Sequence, residues 1–197
     1  MKKLVLATHN PGKVGEFREM FAPLGIEIIS AGDLGLPEPE ETGKTFIENA
    51  KLKAVAAAQA ANLPALADDS GMCVADLDGQ PGIYSARWGG PNKDFNGATE
   101  RVKRELEERG KKIQGAAAYF ICVLSLAQPD GSSLEFEGRM NGTLTYPPRG
   151  RNGFGYDPIF VPEDGTQTYG EMSQLQKNQE NHRARAFGKF KEYLKHK

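Results

Sequence analysis

The stretch Leu4-Val-Leu-Ala-Thr-His-Asn-Pro-Gly-Lys13 decides the fold class. Four apolar residues give way to a small polar loop, and a helical pattern starts at once. Residues 4–7 read as a buried strand. Over 12–24 the apolar residues Val14, Phe17, Phe21 and Leu24 recur at helical spacing, and Gly25 supplies a stop. A second strand follows over 26–30. Strand, helix, strand is the opening of an α/β protein.

Working outward, Thr45 with Glu48 has the form of a capping box and opens an alanine-rich helix running to about 61, ahead of Pro64. Residues 65–67 and 72–77 read as short strands around an acidic turn. A helix over 96–109 precedes the longest strand, 116–127, whose antiparallel partner returns through the Pro129-Asp-Gly-Ser132 turn. Ser173 with Gln176 caps a last helical region that reaches nearly to Lys197, with a second start at His182 and Arg183. Phe187, Phe190 and Leu194 form its buried stripe.

A chain of 197 residues, 39% apolar and 26% charged, fits one globular domain with a sizeable core. The net charge of -1 provides no global basic field for nucleic acid, so an anionic substrate must be met by local cations. Cys73 and Cys122 sit in apolar runs and read as reduced core residues of a cytoplasmic protein. Met1-Lys2-Lys3 imitates the start of a signal peptide, but the apolar run stops at Thr8. No membrane span is expected.

Five segments carry chemistry. In Thr8-His9-Asn10-Pro11-Gly12-Lys13 a helix N-terminus offers backbone N–H groups to an anion. A lysine in its first turn is unfavourable unless an anion sits beside it. Glu38, Glu40 and Glu41 precede the second helix, on which Asn49 and Lys53 lie four apart on one face. Gly43-Lys-Thr45 copies the end of a P-loop, but the glycine required five residues earlier is Glu38, so those carboxylates read instead as oxygen ligands for a divalent cation. Asp68-Asp69-Ser70-Gly71 follows a strand, where alternation turns one aspartate to a site and the other to bracing. Lastly, Gly150, Gly153 and Gly155 bracket Phe154, a ring poorly placed for core filling and well placed to stack on a flat ligand. Lys177, His182 and Arg183 add a basic group, with the two cations favouring a neutral imidazole.

Six pieces, THNPGK at 8–13, EETGKTFIENAKLKA at 40–54, ADDSG at 67–71, PGIYSARW at 81–88, GFGYDPIF at 153–160 and KNQENHRARA at 177–186, keep their order and spacing. Together they resemble the inosine/xanthosine triphosphate pyrophosphatase family of nucleotide hydrolases. The resemblance covers nearly the whole chain. It implies an elongated, two-lobed α/β fold over 1–197, with a long central mixed sheet flanked by helices, a cleft between the lobes, and a homodimer. It also implies Mg²⁺-assisted release of pyrophosphate from ITP, dITP and XTP.

Carried onto this sequence, Thr8 to Lys13 and Lys53 would bind the triphosphate. Glu41 and Asp69 would hold metal, with Glu40 and Asp68 as the lesser alternatives, and Asp69 would activate water. Ser70 would help seat the phosphates. Phe154 would stack on the purine within the Gly155-Tyr156-Asp157 loop, and Asp157, Lys177, His182 and Arg183 would surround its 6-oxo edge and the sugar. Asn181 stands where the family usually has serine; asparagine caps a helix as well as serine does. Two rivals are a non-catalytic nucleotide sensor and an RNA-binding module. The intact carboxylates and lysines argue against the first, and the charge balance against the second.

Overall fold

The computed structural model describes residues 2–196. The expectations that fall on Met1 and Lys197, the two ends of the 1–197 domain, lie outside the described residues. Strand β1 (Lys3–Leu6) leads into helix α1 (Pro11–Phe21), whose N-cap is Asn10. The Asn10 side chain accepts hydrogen bonds from the N–H groups of Gly12 and Lys13. A short 3-10 turn, Ala22–Leu24, extends the helix, and Gly25 ends it with φ 63°. Strand β2 (Glu27–Ser30) lies parallel to β1, with Lys3 opposite Glu27 and Leu6 opposite Ser30.

Helix α2 (Phe46–Ala61) is capped by Thr45, which accepts from Glu48 N–H. The reciprocal bond of the expected capping box is displaced by one residue: the Glu48 carboxylate accepts from Lys44 N–H at 2.6 Å. Strand β3 (Ala65–Val74) then pairs parallel with β1, Val5 opposite Ala65. It is one continuous strand of ten residues, which corrects the expected pair of short strands around an acidic turn. Asp-Ser-Gly favours a turn only when its carboxylates seek water. Here both aspartates are buried against lysines, and the strand runs through them.

Helix α3 (Ser85–Trp88) and helix α4 (Phe95–Glu108) follow, the latter capped by Asp94. Strands β4 (Ala117–Ala127) and β5 (Ser133–Leu144) are joined by a turn in which Gln128 N–H bonds Ser132 O, so short a connection that the pair is antiparallel. At twelve residues β5 outruns β4 by one, so the expected longest strand is the second longest. Strand β6 (Phe160–Pro162) pairs antiparallel with β5. Helices α5 (Gln174–Glu180) and α6 (His182–Lys195) are separated at Asn181, whose extended ψ of 172° breaks the run and whose side chain accepts from Ala184 N–H at 2.8 Å. The expected second start is thus present, capped by asparagine. Phe187 and Phe190 are buried on α6, while Leu194 is only half-buried.

The six strands form one mixed sheet in the order β2-β1-β3-β4-β5-β6, and the α/β class is as expected. The chain divides into two compact units. The first holds the residues up to Asp69 together with Val123–Phe136, and the second holds Ser70–Cys122 and the residues from Glu137 on. In the first, Ala54, Ala57 and Ala58 of α2 pack on Val5, Ala65 and Ala67; small side chains bring the helix close to the strands that carry its ionic partners. In the second, Val102, Leu106, Phe120, Leu144, Phe160 and Tyr169 form a larger core. Cys73 and Cys122 are buried and form no disulfide. No helix among the described residues is long and apolar enough to cross a membrane.

Candidate active site

The first unit assembles an ionic cluster from α1, α2, β3 and the loop before α2. Lys13 Nζ donates to both carboxylate oxygens of Asp68, at 3.0 and 2.8 Å. This answers the anomaly of a lysine in a first helical turn, because the anion beside it is Asp68. Two of the helix N–H groups expected to await a ligand are already held by Asn10, whose own N–H donates to Thr8 Oγ1. Exposed His9 donates from Nε2 to Leu36 O at 2.8 Å, tying this loop to the one that leads to the glutamates. Of Pro11 the backbone alone is described, within the first turn of α1.

Lys53, 7% exposed, donates to Glu41 Oε1 at 2.6 Å and to Asp69 Oδ1 at 3.2 Å. Burial opposes its charge, but Asp69, Asp68 and Glu41 together raise its pKa above the usual lysine value. Asp69 moves the other way for a carboxylate. Its removal from water pushes its pKa up to about 6, with Lys53 opposing and Glu41 reinforcing the shift. The Asp69 Oδ2 atom is buried and has no hydrogen-bond partner among the described residues. Glu40 is exposed, so of the two glutamates it is Glu41 that meets Lys53. Asp68 and Asp69, adjacent on β3, point to opposite faces and meet lysines from different helices. No three His, Cys, Asp or Glu side chains among the described residues converge as a ready-made metal cage.

The second unit builds an aromatic and basic group on the loop before β6. Gly150, Gly153 and Gly155 all take positive φ. At Gly153 a Cβ would fall 2.0 Å from Asp157 Oδ2, so the close turn requires glycine. Asp157 is 2% exposed, accepts from Phe154 N–H at 2.8 Å and pairs with Lys177 Nζ at 2.6 Å. Burial raises its pKa, with Lys177 and Arg183 opposing. Asp157 therefore holds the loop from beneath. Phe154 above it stays 48% exposed, with the Lys177 ammonium 4.9 Å from its ring centroid. Tyr156 lies in the core, donating to Ser85 O at 3.0 Å, and burial raises its pKa. Gly155 approaches the Phe95 ring. His182 and Arg183 open α6, both buried, and the His182 ring stacks on Phe120 at 4.9 Å and 14°. Half-buried Ser70 follows Asp69 on β3.

Sequence reading left Phe120 and Asn49 without a role. Phe120 is one alternating apolar residue of a long strand, and nothing local marks it as the shelf under His182. Asn49 had a signal, its place one helical turn before Lys53, and in the structure its Oδ1 accepts from Gly43 N–H at 2.8 Å.

Residues 4–193 match the model of the Ham1 family. The chain is 55% identical over 198 aligned residues to a dITP/XTP pyrophosphatase of Bradyrhizobium sp., covering 96% of this chain and 92% of that one. It is 56% identical to a dITP/XTP pyrophosphatase of Rhodopseudomonas palustris, with 96% and 94% covered. Among solved structures, a HAM1 protein from Coxiella burnetii superposes with a TM-score of 0.92 at 37% identity over the whole of both chains. A sequence match over nearly the full length and a shared fold lead to one conclusion: the chain belongs to the Ham1 family.

Proposed function

We propose that this chain hydrolyses non-canonical purine nucleoside triphosphates, ITP, dITP and XTP, to the monophosphate and pyrophosphate, acting as one pyrophosphatase domain over its length. The observation that carries the reading is the Lys53 ammonium gripping Glu41 and Asp69, with the second Asp69 oxygen buried and unpartnered. A buried carboxylate oxygen without a partner costs about 1–3 kcal/mol. It suits a group that a bound cation or a water proton completes. That relatives 55% and 56% identical are dITP/XTP pyrophosphatases supports the same reading.

The donor set fits Mg²⁺. Two carboxylates, Glu41 and Asp69, are a suitable protein share for an ion that takes its remaining oxygens from water and substrate phosphates. Bound there, it would neutralise charge on the phosphates during transfer. Asp69, whose pKa burial pushes up to about 6 in the metal-free chain, is ionised at neutral pH, and its unpartnered Oδ2 could take the proton of the attacking water. Lys53 keeps that carboxylate oriented, and Lys13 with the start of α1 would hold phosphate oxygens once substrate competes with Asp68. Ser70 would add a hydroxyl donor. Phe154 presents a half-open ring for the purine, while Lys177, His182 and Arg183 would read its 6-oxo edge and the sugar. With the β and γ phosphates held and the base fixed, water attacks the α-phosphorus. A homodimer and a cytoplasmic location go with this reading.

The test is turnover on a panel of triphosphates with pyrophosphate and orthophosphate counted separately. ITP, dITP and XTP should outpace ATP and GTP and release pyrophosphate, and in ¹⁸O water the label should enter the monophosphate alone. Diphosphate with orthophosphate as first products would overturn it.

A further inference from the structure

Asn49 is fully buried in the first turn of α2, one helical turn before Lys53, and its two halves are treated differently. Its Oδ1 accepts from Gly43 N–H at 2.8 Å, whereas its Nδ2 is buried with no hydrogen-bond partner among the described residues. Gly43 lies so close that a Cβ there would fall 2.6 Å from Asn49 Oδ1 and 2.9 Å from Asn49 N. Two residues back along the same loop is Glu41, whose carboxylate is gripped by Lys53. One helix face thus fastens the loop twice, Lys53 through the Glu41 side chain and Asn49 through the backbone beside it.

We infer that Asn49, acting through Gly43, is the positioning residue that sets Glu41 for the divalent cation; this rests on the metal reading above. A donor left unpaired in a buried place is a standing cost, so the fold alone does not favour an amide there. The cluster explains the choice. Around Lys13 and Lys53 stand three carboxylates, Glu41, Asp68 and Asp69, and aspartate at position 49 would add a fourth negative charge. Serine would be too short to reach Gly43 N–H. Asparagine is the neutral acceptor of the right length. The Nδ2 amino group is the half that goes unused, and Oδ1 is the half that Gly43, lacking a Cβ, comes close enough to meet. Groups one step behind a metal ligand typically change metal affinity or activity about 10–100-fold when removed.

The experiment measures Mn²⁺ affinity by electron paramagnetic resonance, with the α,β-imido analogue of ITP present. The proteins are the wild type, Asn49→Leu, Gly43→Ala and the double variant, with unfolding curves recorded in parallel. Leucine keeps the volume and removes the acceptor; alanine at 43 breaks the same contact from the loop side, so that one variant decides if the other fails to fold. Each should weaken Mn²⁺ about 10-fold or more while analogue affinity without metal stays within about threefold. The double variant should weaken Mn²⁺ at least as much as either single change, because both break the Gly43–Asn49 contact and alanine also meets Glu48 Cβ and Asn49 N. Folded single variants that bind Mn²⁺ within threefold of wild type would overturn the role of Asn49 and leave the metal reading standing. A wild type that binds no Mn²⁺ would overturn both.

Discussion

Asp69→Asn separates the stability of this protein from its chemistry, and the structure sets the size of the effect. Burial raises the Asp69 pKa from 3.8 to about 6 with Lys53 already counted against it. A shift of roughly 2 units means that ionising Asp69 costs about 3 kcal/mol more in the folded chain than in the unfolded one. Because the folded value is raised, the contribution of Asp69 to stability is fully present below about pH 4 and is lost as pH rises through about 6. Asparagine has nearly the same shape and never ionises. The metal-free variant should therefore exceed wild type in stability by about 1 kcal/mol near pH 4.5 and by about 3 kcal/mol at pH 8, a gap that widens by about 2 kcal/mol. Over the same range kcat should be lower by about 10²- to 10⁴-fold, the usual loss on removing a general base. Urea unfolding of EDTA-treated proteins at the two pH values reads the first quantity, and pyrophosphate release from ITP the second. A stability difference that does not change with pH, or one that moves against the variant at pH 8, would refute the burial argument. A kcat within threefold of wild type would move the base elsewhere.

Protons should compete with the divalent cation at the same carboxylate: below pH 6 the Mn²⁺ affinity of wild type should weaken by about tenfold per pH unit, with up to one proton released per ion in calorimetry run in two buffers, and a flat profile would show that Asp69 is not a ligand. Phe154→Ala should leave the unfolding midpoint almost unchanged, because the ring is half exposed. It should nevertheless lower kcat/KM for ITP by about 5- to 150-fold, the worth of one base stack at about 1–3 kcal/mol; an equal loss on inorganic tripolyphosphate would remove the stacking role. Asn181→Ala should cost about 1 kcal/mol by uncapping α6, and Asn181→Ser should restore most of it in urea unfolding.

How much of this was legible beforehand depended on whether the physics was local. The strand–loop–helix opening, the caps at Thr45, Ser173 and Asn181 and the 129–132 turn all follow from residues within a few positions of one another, and the structure has them. The Asp68–Gly71 segment misled for the same reason. Its local chemistry says turn, and only Lys13 and Lys53, 55 and 16 residues away, let it run as a buried strand. The site residues divide along the same line. Gly153 and Phe154 announce themselves, since a ring flanked by glycines is odd in any context. What Asp157 does is not visible in the loop, because its role as the support beneath Phe154 depends on Lys177 arriving from α5. Asn49 shows the boundary most sharply. Helical spacing put it on the face of Lys53, but a buried polar residue on an alanine-rich helix has no stated purpose until its partner is known. Gly43, in turn, reads as a fragment of a P-loop until Asn49 stands against it. Each residue explains the other, and neither carries its meaning alone, which is why pairing them required the fold.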